Sequence, residues 1–212
     1  MSQVSKFLVL ACFLAASGVR AGDDVATGKL LVATDEVRGA HFAQTVILLL
    51  HYDEQGAMGL VINRPMEAAP KELLPDLESL DAYSGALYWG GPVQVSTMRA
   101  LLRSDEPPED ALHIFDSVHQ VPFDETLHHG PSNAAQLRFF VGYAGWAPGQ
   151  LERELAFDSW HVIPATEDVV FARDPGIIWR YLRPPREYRA ATSPSTTGLR
   201  AYVAPSREGA YR

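Results

Sequence analysis

The chain has 212 residues, a single cysteine and a formal net charge of −8 at pH 7. This length is sufficient for one domain with a sizeable hydrophobic core. Because the excess charge is acidic, nucleic acid is a poor partner, since phosphate binding depends on a basic surface. One cysteine, Cys12, also excludes an internal disulfide and a metal site built from several thiolates.

The first 21 residues have the organisation of a secretory signal peptide. Lys6 precedes an apolar run from Phe7 to Ala16, and Val19 and Ala21 occupy the −3 and −1 positions of a cleavage site. At about 10 residues, the run is shorter than the roughly 20 that cross a bilayer as a helix. We therefore expect residues 1–21 to be removed. A retained interfacial anchor and a mis-assigned start codon are the alternatives.

Cleavage would change the charge and the chemistry of the mature chain. Loss of Lys6 and Arg20 reduces the 18 basic residues to 16, against 26 acidic residues. Loss of Cys12 removes the only thiol, so stability must come from packing. We expect a periplasmic or secreted protein with no stable membrane span after cleavage.

Short apolar runs separated by turn residues predict most of the strands in chain order. Residues 29–33 and 45–52 are predicted strands, and a turn at residues 53–56 joins the second to a third strand, residues 58–63, in a hairpin. Residues 45–50 are apolar apart from Thr45, which is typical of a strand covered on both faces. Further strands are predicted at residues 86–89, 98–103, 112–115, 136–143, 160–163 and 169–171.

Helices are predicted between these strands. In the strongest, residues 150–157, Leu151, Leu155 and Phe157 are predicted to face inward, and the charged side chains of Glu152, Arg153 and Glu154 mostly outward. The others are residues 71–80, interrupted at Pro75, then residues 124–129 and 175–182.

The composition divides the chain into four parts. A signal peptide, residues 1–21, and a short linker, residues 22–27, precede a single domain at residues 28–184. Residues 185–212 combine basic residues, small polar residues and scattered prolines without an apolar period, so we expect a disordered tail.

Residues 142–154, GYAGWAPGQLERE, form the most informative stretch. Three glycines interrupt an apolar strand and lead into the helix, and Pro148 with Gly149 predicts a turn. We expect Gly142 or Gly145 to adopt a backbone conformation that other residues reach poorly. The start of the helix has free N–H groups that could receive a carboxylate, a phosphate or a neighbouring loop.

Five segments together resemble the YqgE/AlgH family of bacterial proteins, also called UPF0301 or DUF179. The resemblance covers residues 28–184, and the strings GLVINRP and GYAGWAPGQLE are long enough to be specific. Where the family has Asp-Pro before a phenylalanine, this chain has Ala40 and His41 before Phe42, so no role is expected for that acid here. The segments are GKLLVA at 28–33, FAQTVILL at 42–49, GLVINRP at 59–65, GGPV at 90–93 and GYAGWAPGQLE at 142–152.

The resemblance implies a fold more clearly than a function. It implies a single α+β domain whose bifurcated, mostly antiparallel sheet forms a pseudo-barrel flanked by helices. No settled biochemical activity belongs to the family, although a regulatory role in alginate production, without a defined mechanism, is attached to its namesake.

The sequence has none of the motifs that identify common enzyme classes. It lacks the serine hydrolase elbow, the zinc protease helix, the phosphate loop and the dinucleotide fingerprint. Four histidines raise a metal hypothesis, because imidazole binds zinc and copper. Their spacings match no standard site, so we expect no metal and no cofactor. These histidines are His113, His119, His128 and His129.

Four polar or aromatic residues near chain turns form the candidate ligand site: Asn63, Arg64, Trp146 and Gln150. A guanidinium at the end of an apolar strand could bind a carboxylate or phosphate through two hydrogen bonds. Each residue also has a structural alternative. Arg64 could pair with an internal acid such as Glu152 or Glu154, and Asn63 could satisfy turn amides. Trp146 could cover the glycines, and Gln150 could cap its own backbone. We predict that the two pairs lie close together and form the main polar site.

Three function classes remain open from the sequence. We favour an exported, non-catalytic protein of undetermined activity that binds a small anionic ligand or a protein partner in the cell envelope. A hydrolase-type enzyme of unrecognised class, using Asn63, Arg64 and a nearby carboxylate, is the alternative. Transcriptional regulation is suggested only by the family name. An acidic, exported protein fits this class less well than it fits a binding protein of the envelope.

Overall fold

The computed structural model describes residues 25–76, 80–81, 83–122 and 136–184. Within these ranges the chain forms nine strands, four short α-helices and a 3-10 helix. The strands are β1 (Lys29–Ala33), β2 (Val46–Asp53), β3 (Gly56–Val61), β4 (Leu87–Trp89), β5 (Val93–Arg103), β6 (Leu112–Phe115), β7 (Val118–Val121), β8 (Leu137–Trp146) and β9 (Trp160–Pro164). The helices are α1 (Pro70–Leu73), α2 (Gln150–Ala156), α3 (Glu167–Val170) and α4 (Ile178–Leu182), with the 3-10 helix at Pro175–Ile177.

The nine strands form one sheet in the order β6-β7-β5-β8-β3-β2-β1-β9, and β4 lies off this path. The pairs along this path are antiparallel, whereas β4 runs parallel to β8. Strand β8 is the strand at which the sheet divides. One edge of β8 pairs with β5, and the other pairs first with β4 and then with β3. This arrangement confirms the α+β class and the mostly antiparallel sheet.

The sheet curls until strands from its two ends approach each other. Gly28, just before β1, has φ +80°, and a Cβ placed there would lie 3.0 Å from the Ile114 carbonyl oxygen of β6. Strand β6 ends the sheet on one side, and β1 is next to last on the other. The curled sheet is therefore a half-barrel, as the resemblance implied.

Apolar side chains fill the concave side of the sheet and cover parts of its other side. We call the largest cluster the central core, and it includes Leu48, Leu60, Leu101 and Phe140. A second cluster packs Leu31, Ile47, Leu49 and Val61 against α2 and Trp160. Strand β2 is thus covered on both faces, which confirms the expectation for residues 45–50. A third cluster contains Leu80, Leu87, Ala100, Leu102, Val121, Leu137 and Phe139.

Strand β8 is longer than predicted because its glycines do not end it. The strand continues through Gly142 and Gly145 to Trp146. Gly142 has φ +67°, which confirms that one of these two glycines adopts a conformation restricted for other residues. A Cβ at Gly142 would lie 2.4 Å from the Gly91 carbonyl oxygen, so this glycine allows β8 to change neighbours. The turn itself is at Pro148 and Gly149, as predicted.

Two predictions for the end of the chain have different outcomes. The strand predicted at residues 169–171 is wrong, because residues 167–170 form α3 and the Phe171 amide closes a turn on the Glu167 carbonyl at 2.8 Å. Helical spacing buries Val170 while Asp168 stays exposed. The closing helix predicted at residues 175–182 is confirmed as the 3-10 helix followed by α4.

Several predicted segments lie outside the described residues. They include the signal peptide, most of the linker, the helix at residues 124–129 and the tail at residues 185–212. The helix predicted at residues 71–80 is described only in part, as α1. Strand β7 had no predicted counterpart. In the described part of the chain, no helix combines the length and apolar character needed to span a membrane.

Candidate functional site

Asn63 fixes the start of β2 from within the core. Its side chain is 8% exposed, and its amide oxygen accepts a hydrogen bond from the Val46 backbone N–H at 2.8 Å. The side-chain Nδ2 donates to the Gln44 carbonyl at 2.9 Å. Gln44 has φ +61°, so this pair of bonds holds a backbone conformation that few residues adopt. Asn63 therefore has a structural role at this turn.

Arg64 holds the preceding loop through backbone carbonyls. Its Nη1 donates to the Ala40 carbonyl at 2.8 Å, and its Nη2 donates to the Ala43 carbonyl at 2.9 Å. The guanidinium carbon lies 5.2 Å from the centre of the Trp89 ring, and partial burial lowers the pKa of Arg64. The expected ion pair with Glu152 or Glu154 is wrong, because these carboxylates bind other groups.

Trp146 belongs to a hydrogen-bonded group centred on Glu154, which we call the indole–carboxylate node. One carboxylate oxygen, Oε2, accepts the indole N–H of Trp146 at 2.9 Å and that of Trp160 at 2.8 Å. The other oxygen accepts from the Gln150 amide at 2.9 Å. Glu154 thus faces these three side chains, and the expectation that it points outward is wrong. The expectation that Phe157 faces inward is also wrong, because this residue follows the last turn of α2 and is exposed.

Gln150 also closes the turn before α2. Its amide oxygen accepts from the Ala147 backbone N–H at 3.1 Å, and its own N–H donates to the Ala147 carbonyl at 2.9 Å. The capping alternative is therefore wrong, because the Gln150 side chain binds the turn and no side chain caps the start of α2.

The structure separates the four predicted site residues into two pairs. Trp146 pairs with Ala57 at the start of β3, whereas Arg64 follows the end of that strand seven residues later. At about 3.3 Å per residue, the two pairs are roughly 20 Å apart. The prediction of one shared polar site is wrong. A row of aromatic rings, formed by Trp89, Phe42, Trp160 and Trp146 at centroid distances of 6.3, 6.1 and 6.1 Å, connects them.

A groove that the sequence did not reveal lies at one end of the half-barrel. It has a volume of about 410 Å³ and opens between the β2–β3 hairpin, the start of β5 and the end of β8. Met58 and Tyr143 line it and also pack against the central core, so the groove lies directly above that core. Its lining residues are His51, Asp53, Gln55, Gly56, Ala57, Met58, Val93, Tyr143, Gly145 and Trp146.

A histidine and a carboxylate form the polar rim of this groove. His51 Nε2 lies 2.9 Å from Asp53 Oδ2, and Asp53 Oδ1 accepts the Gln55 backbone N–H at 2.7 Å. Both side chains are exposed. The two residues share a face of β2, while Tyr52 between them donates to Glu152. The sequence signal for this pair was the alternation of the polar residues His51 and Asp53 around Tyr52, next to the predicted hairpin turn.

A cation lies over one aromatic ring that lines the groove. The Arg99 guanidinium carbon is 4.8 Å from the centre of the Tyr143 ring, and its Nε is buried without a hydrogen-bond partner among the described residues. The groove therefore combines apolar walls, one exposed polar pair and nearby positive charge.

The histidines at β6 and β7 bind backbone carbonyls. His113 Nε2 is 3.0 Å from the Asp116 carbonyl, and His119 Nδ1 is 3.0 Å from the Ser117 carbonyl. The two rings meet edge to face at 5.3 Å. Throughout the described ranges, no group of three or more histidine, cysteine or acidic side chains is arranged to hold a metal ion.

The family model described as AlgH-like, DUF179, matches residues 30–183. The chain belongs to this AlgH-like family. A UPF0301 protein of Chlorobium limicola is 36% identical over 184 residues, which cover 84% of this chain and 97% of that relative. A UPF0301 protein of Streptomyces coelicolor is 32% identical over 160 residues, or 73% of this chain and 83% of that relative.

Two solved structures share the fold. The AlgH protein of Pseudomonas aeruginosa matches with a TM-score of 0.57 and 30% identity, over 78% of this chain and 85% of that chain. A Corynebacterium diphtheriae protein matches with a TM-score of 0.60 and 24% identity, over 71% and 81% of the two chains. The AlgH-like family is uncharacterised in function, so these relatives supply the architecture and leave the activity open.

Proposed function

We propose that this AlgH-like chain is a non-catalytic binding protein of the cell envelope, and that its ligand or partner occupies the groove above the central core. The observation that carries this proposal is the groove itself, with its volume of about 410 Å³ and its aromatic and apolar walls. Ligand sites are typically concave, mostly apolar and equipped with a few polar groups, and they are frequent at the mouths of barrels.

The chemistry of the groove favours a ligand with an apolar body and an anionic group. Met58, Val93 and Tyr143 offer apolar contact, and the partly exposed edge of the β2–β3 hairpin offers His51. Arg99, over the Tyr143 ring, adds positive charge nearby. A small anionic molecule or the acidic side chain of a protein partner would meet these requirements.

The groove is a better candidate than the end of β3. At that end, both terminal nitrogens of Arg64 already donate to the Ala40 and Ala43 carbonyls, and Asn63 uses both ends of its amide. An anion would have to compete with these bonds. In the groove, apolar contact with Met58, Val93 and Tyr143 needs no such exchange.

Capture of metabolites and proteins from extracts of the cell envelope tests whether the groove is the binding site. Full-length wild-type protein is compared with His51→Trp, which places a larger ring at the mouth, and with Arg38→Trp, an exposed control outside the groove. We expect His51→Trp to lose the metabolites or proteins that the other two retain. Equal capture by all three proteins would argue against the groove as the binding site.

Export is the second part of the proposal. It rests on the order of Lys6, the apolar run at residues 7–16 and the small residues before Gly22. Intact-mass measurement of the protein from its native host should give a chain that begins at Gly22. A soluble chain that retains Met1 would contradict export.

A hydrolase-type enzyme is the second candidate, because His51 and Asp53 form a hydrogen-bonded pair beside a groove. A histidine oriented by a carboxylate can act as a general base towards a bound substrate or water. Hydrolysis of simple ester and phosphoester substrates by the wild type, abolished in His51→Gln, would favour this candidate. Equal rates for the two proteins would remove it.

A further inference from the structure

A buried arginine, Arg138, lies in the central core at some distance from the groove. It is on β8, opposite Leu101 of β5, and only 2% of its surface is exposed. Its Nη2 donates to the Ala172 carbonyl. Its Nε and Nη1 are buried and have no hydrogen-bond partner in the described part of the chain. Two of the three guanidinium nitrogens are therefore unsatisfied.

Such an arrangement is costly for a folded protein. Buried polar groups in native structures nearly always have hydrogen-bond partners, and buried charges are nearly always paired. Burial lowers the pKa of Arg138, yet a guanidinium stays protonated in proteins. An acceptor for the free N–H groups would remove most of this cost.

The two acidic side chains of α3 are engaged by other groups. Glu167 Oε1 accepts the Ser117 N–H at 3.0 Å and the Ser117 hydroxyl at 2.5 Å. Glu167 Oε2 lies 4.0 Å from Arg103 Nη1, and the fully exposed Asp168 carboxylate lies 3.8 Å from the same nitrogen. These two carboxylates thus serve Arg103 and leave Arg138 without an ion pair among the described residues.

The surroundings of Arg138 restrict what could reach it. Its guanidinium carbon lies 4.8 Å from the centre of the Tyr88 ring and 5.6 Å from that of Phe171. These rings cover guanidinium surface, whereas its hydrogen bonds lie in its own plane, so an acceptor must approach the edge. Ala172, whose carbonyl accepts from Nη2, is half-buried and the next residue, Arg173, is exposed, so the chain beside the guanidinium reaches the surface.

We propose that Arg138 is the receptor for a small oxyanion, a phosphate or a carboxylate, which enters beside Ala172 and accepts a hydrogen bond from one of the two free nitrogens, Nε or Nη1, of the guanidinium. Planar guanidinium groups bind such anions through charge-assisted hydrogen bonds. Arg103, whose guanidinium carbon lies 5.2 Å from the centre of the same Phe171 ring, adds a second positive charge. This site is independent of the groove, which does not include Arg138.

Melting temperatures of the full chain in inorganic phosphate or acetate, against chloride of equal ionic strength, test the proposal. The variants are Arg138→Met, which keeps an unbranched apolar stem and removes the guanidinium, and Arg180→Met, a matched control for an exposed arginine of α4. We expect phosphate or acetate to raise the melting temperature of the wild type and Arg180→Met in a saturable manner. Arg138→Met should lose this rise. The comparison of phosphate with acetate identifies the preferred anion.

A second measurement keeps the proposal testable if Arg138→Met does not fold. The side-chain Nε–H resonance of Arg138, followed by nitrogen-15 NMR in the wild type, should shift as phosphate or acetate is added. An unmoved Arg138 resonance, or an equal rise in the melting temperature of both variants, would overturn the proposal.

Discussion

At the scale of single residues, side chains of the two segments GLVINRP and GYAGWAPGQLE form hydrogen bonds that join distant parts of the chain. Asn63 and Arg64 hold the loop before β2, while Trp146 and Gln150 converge on Glu154. The sequence identified these four residues because they stand where apolar strands end. It could not identify their partners, because the Ala40 carbonyl and the Glu154 carboxylate reach them only in the folded chain.

Glu154→Gln should destabilise the fold by about 1–3 kcal/mol, since hydrogen bonds to a charged acceptor are stronger than neutral ones. The carboxylate accepts from two indoles and one amide, and a glutamine side chain would place an N–H group against these donors. Urea unfolding measures the change. Glu152→Gln, which affects one exposed bond from Tyr52, is the matched control and should change stability far less.

Gly142→Ala should destabilise the fold by more than about 1 kcal/mol. The added Cβ meets both a φ of +67° and a contact of 2.4 Å with the Gly91 carbonyl oxygen. Gly176→Ala is the control, because its Cβ would lie 3.6 Å from the nearest atom and its φ is not in the left-handed region. Equal unfolding midpoints for the two variants would show that β8 needs no glycine at residue 142.

At the scale of elements, local hydrophobic periodicity correctly predicted the strands and helices whose packing in the fold agrees with their sequence pattern. Strand β1 has the predicted bounds, and the hairpin and α2 follow closely. The pattern failed at residues 169–171, where three apolar residues resemble a strand but pack as the end of a helical turn. It also missed the continuation of β8 over residues 144–146, because partner exchange along β8 depends on β3, β4 and β5 together.

Arg64→Met should loosen the loop at residues 39–45 by removing two bonds to its carbonyls. We expect faster amide hydrogen exchange in that loop and a loss of about 1–2 kcal/mol in global stability. Arg38→Met, at an exposed position of the same region, is the control. Unchanged exchange at residues 39–45 in Arg64→Met would contradict this role.

The link between β7 and α3 should give the fold an acid-sensitive component. The hydrogen bond from the Ser117 hydroxyl, together with that from the Ser117 N–H, lowers the pKa of Glu167 below its ordinary value of 4.5. The associated stability is therefore present above that value and is lost as the pH falls through the lower pKa of the folded state.

Ser117→Ala should cost about 1 kcal/mol at neutral pH, because it removes one hydrogen bond to a carboxylate. The difference from the wild type should disappear at a pH below the folded-state pKa of Glu167. Denaturant unfolding at the two pH values measures it, with the exposed Ser96→Ala as the control. A deficit that persists unchanged in acid would assign Ser117 a role unrelated to the Glu167 charge.

At the scale of the whole molecule, the half-barrel places the two pairs of predicted site residues at opposite ends of β3. The groove lies between the β2–β3 hairpin, the start of β5 and the end of β8. The groove draws its walls from β2, β3, β5 and β8, which are distant in sequence. Its position depends on the curl of the sheet and on the divergence of β3 and β5 at β8, neither of which a local pattern encodes. The family resemblance predicted the architecture. The position of the groove depends on the pairing of strands that are distant in the sequence.

The most direct test of the central claim, that binding takes place in the groove, is an NMR titration of the wild type with the molecule it captures. Backbone amide shifts should concentrate at the groove residues Met58, Tyr143 and Gly145. Ala40 and Ala43, at the opposite end of β3, should keep their resonances. Shifts centred on Ala40 and Ala43, with the groove amides unchanged, would contradict the account.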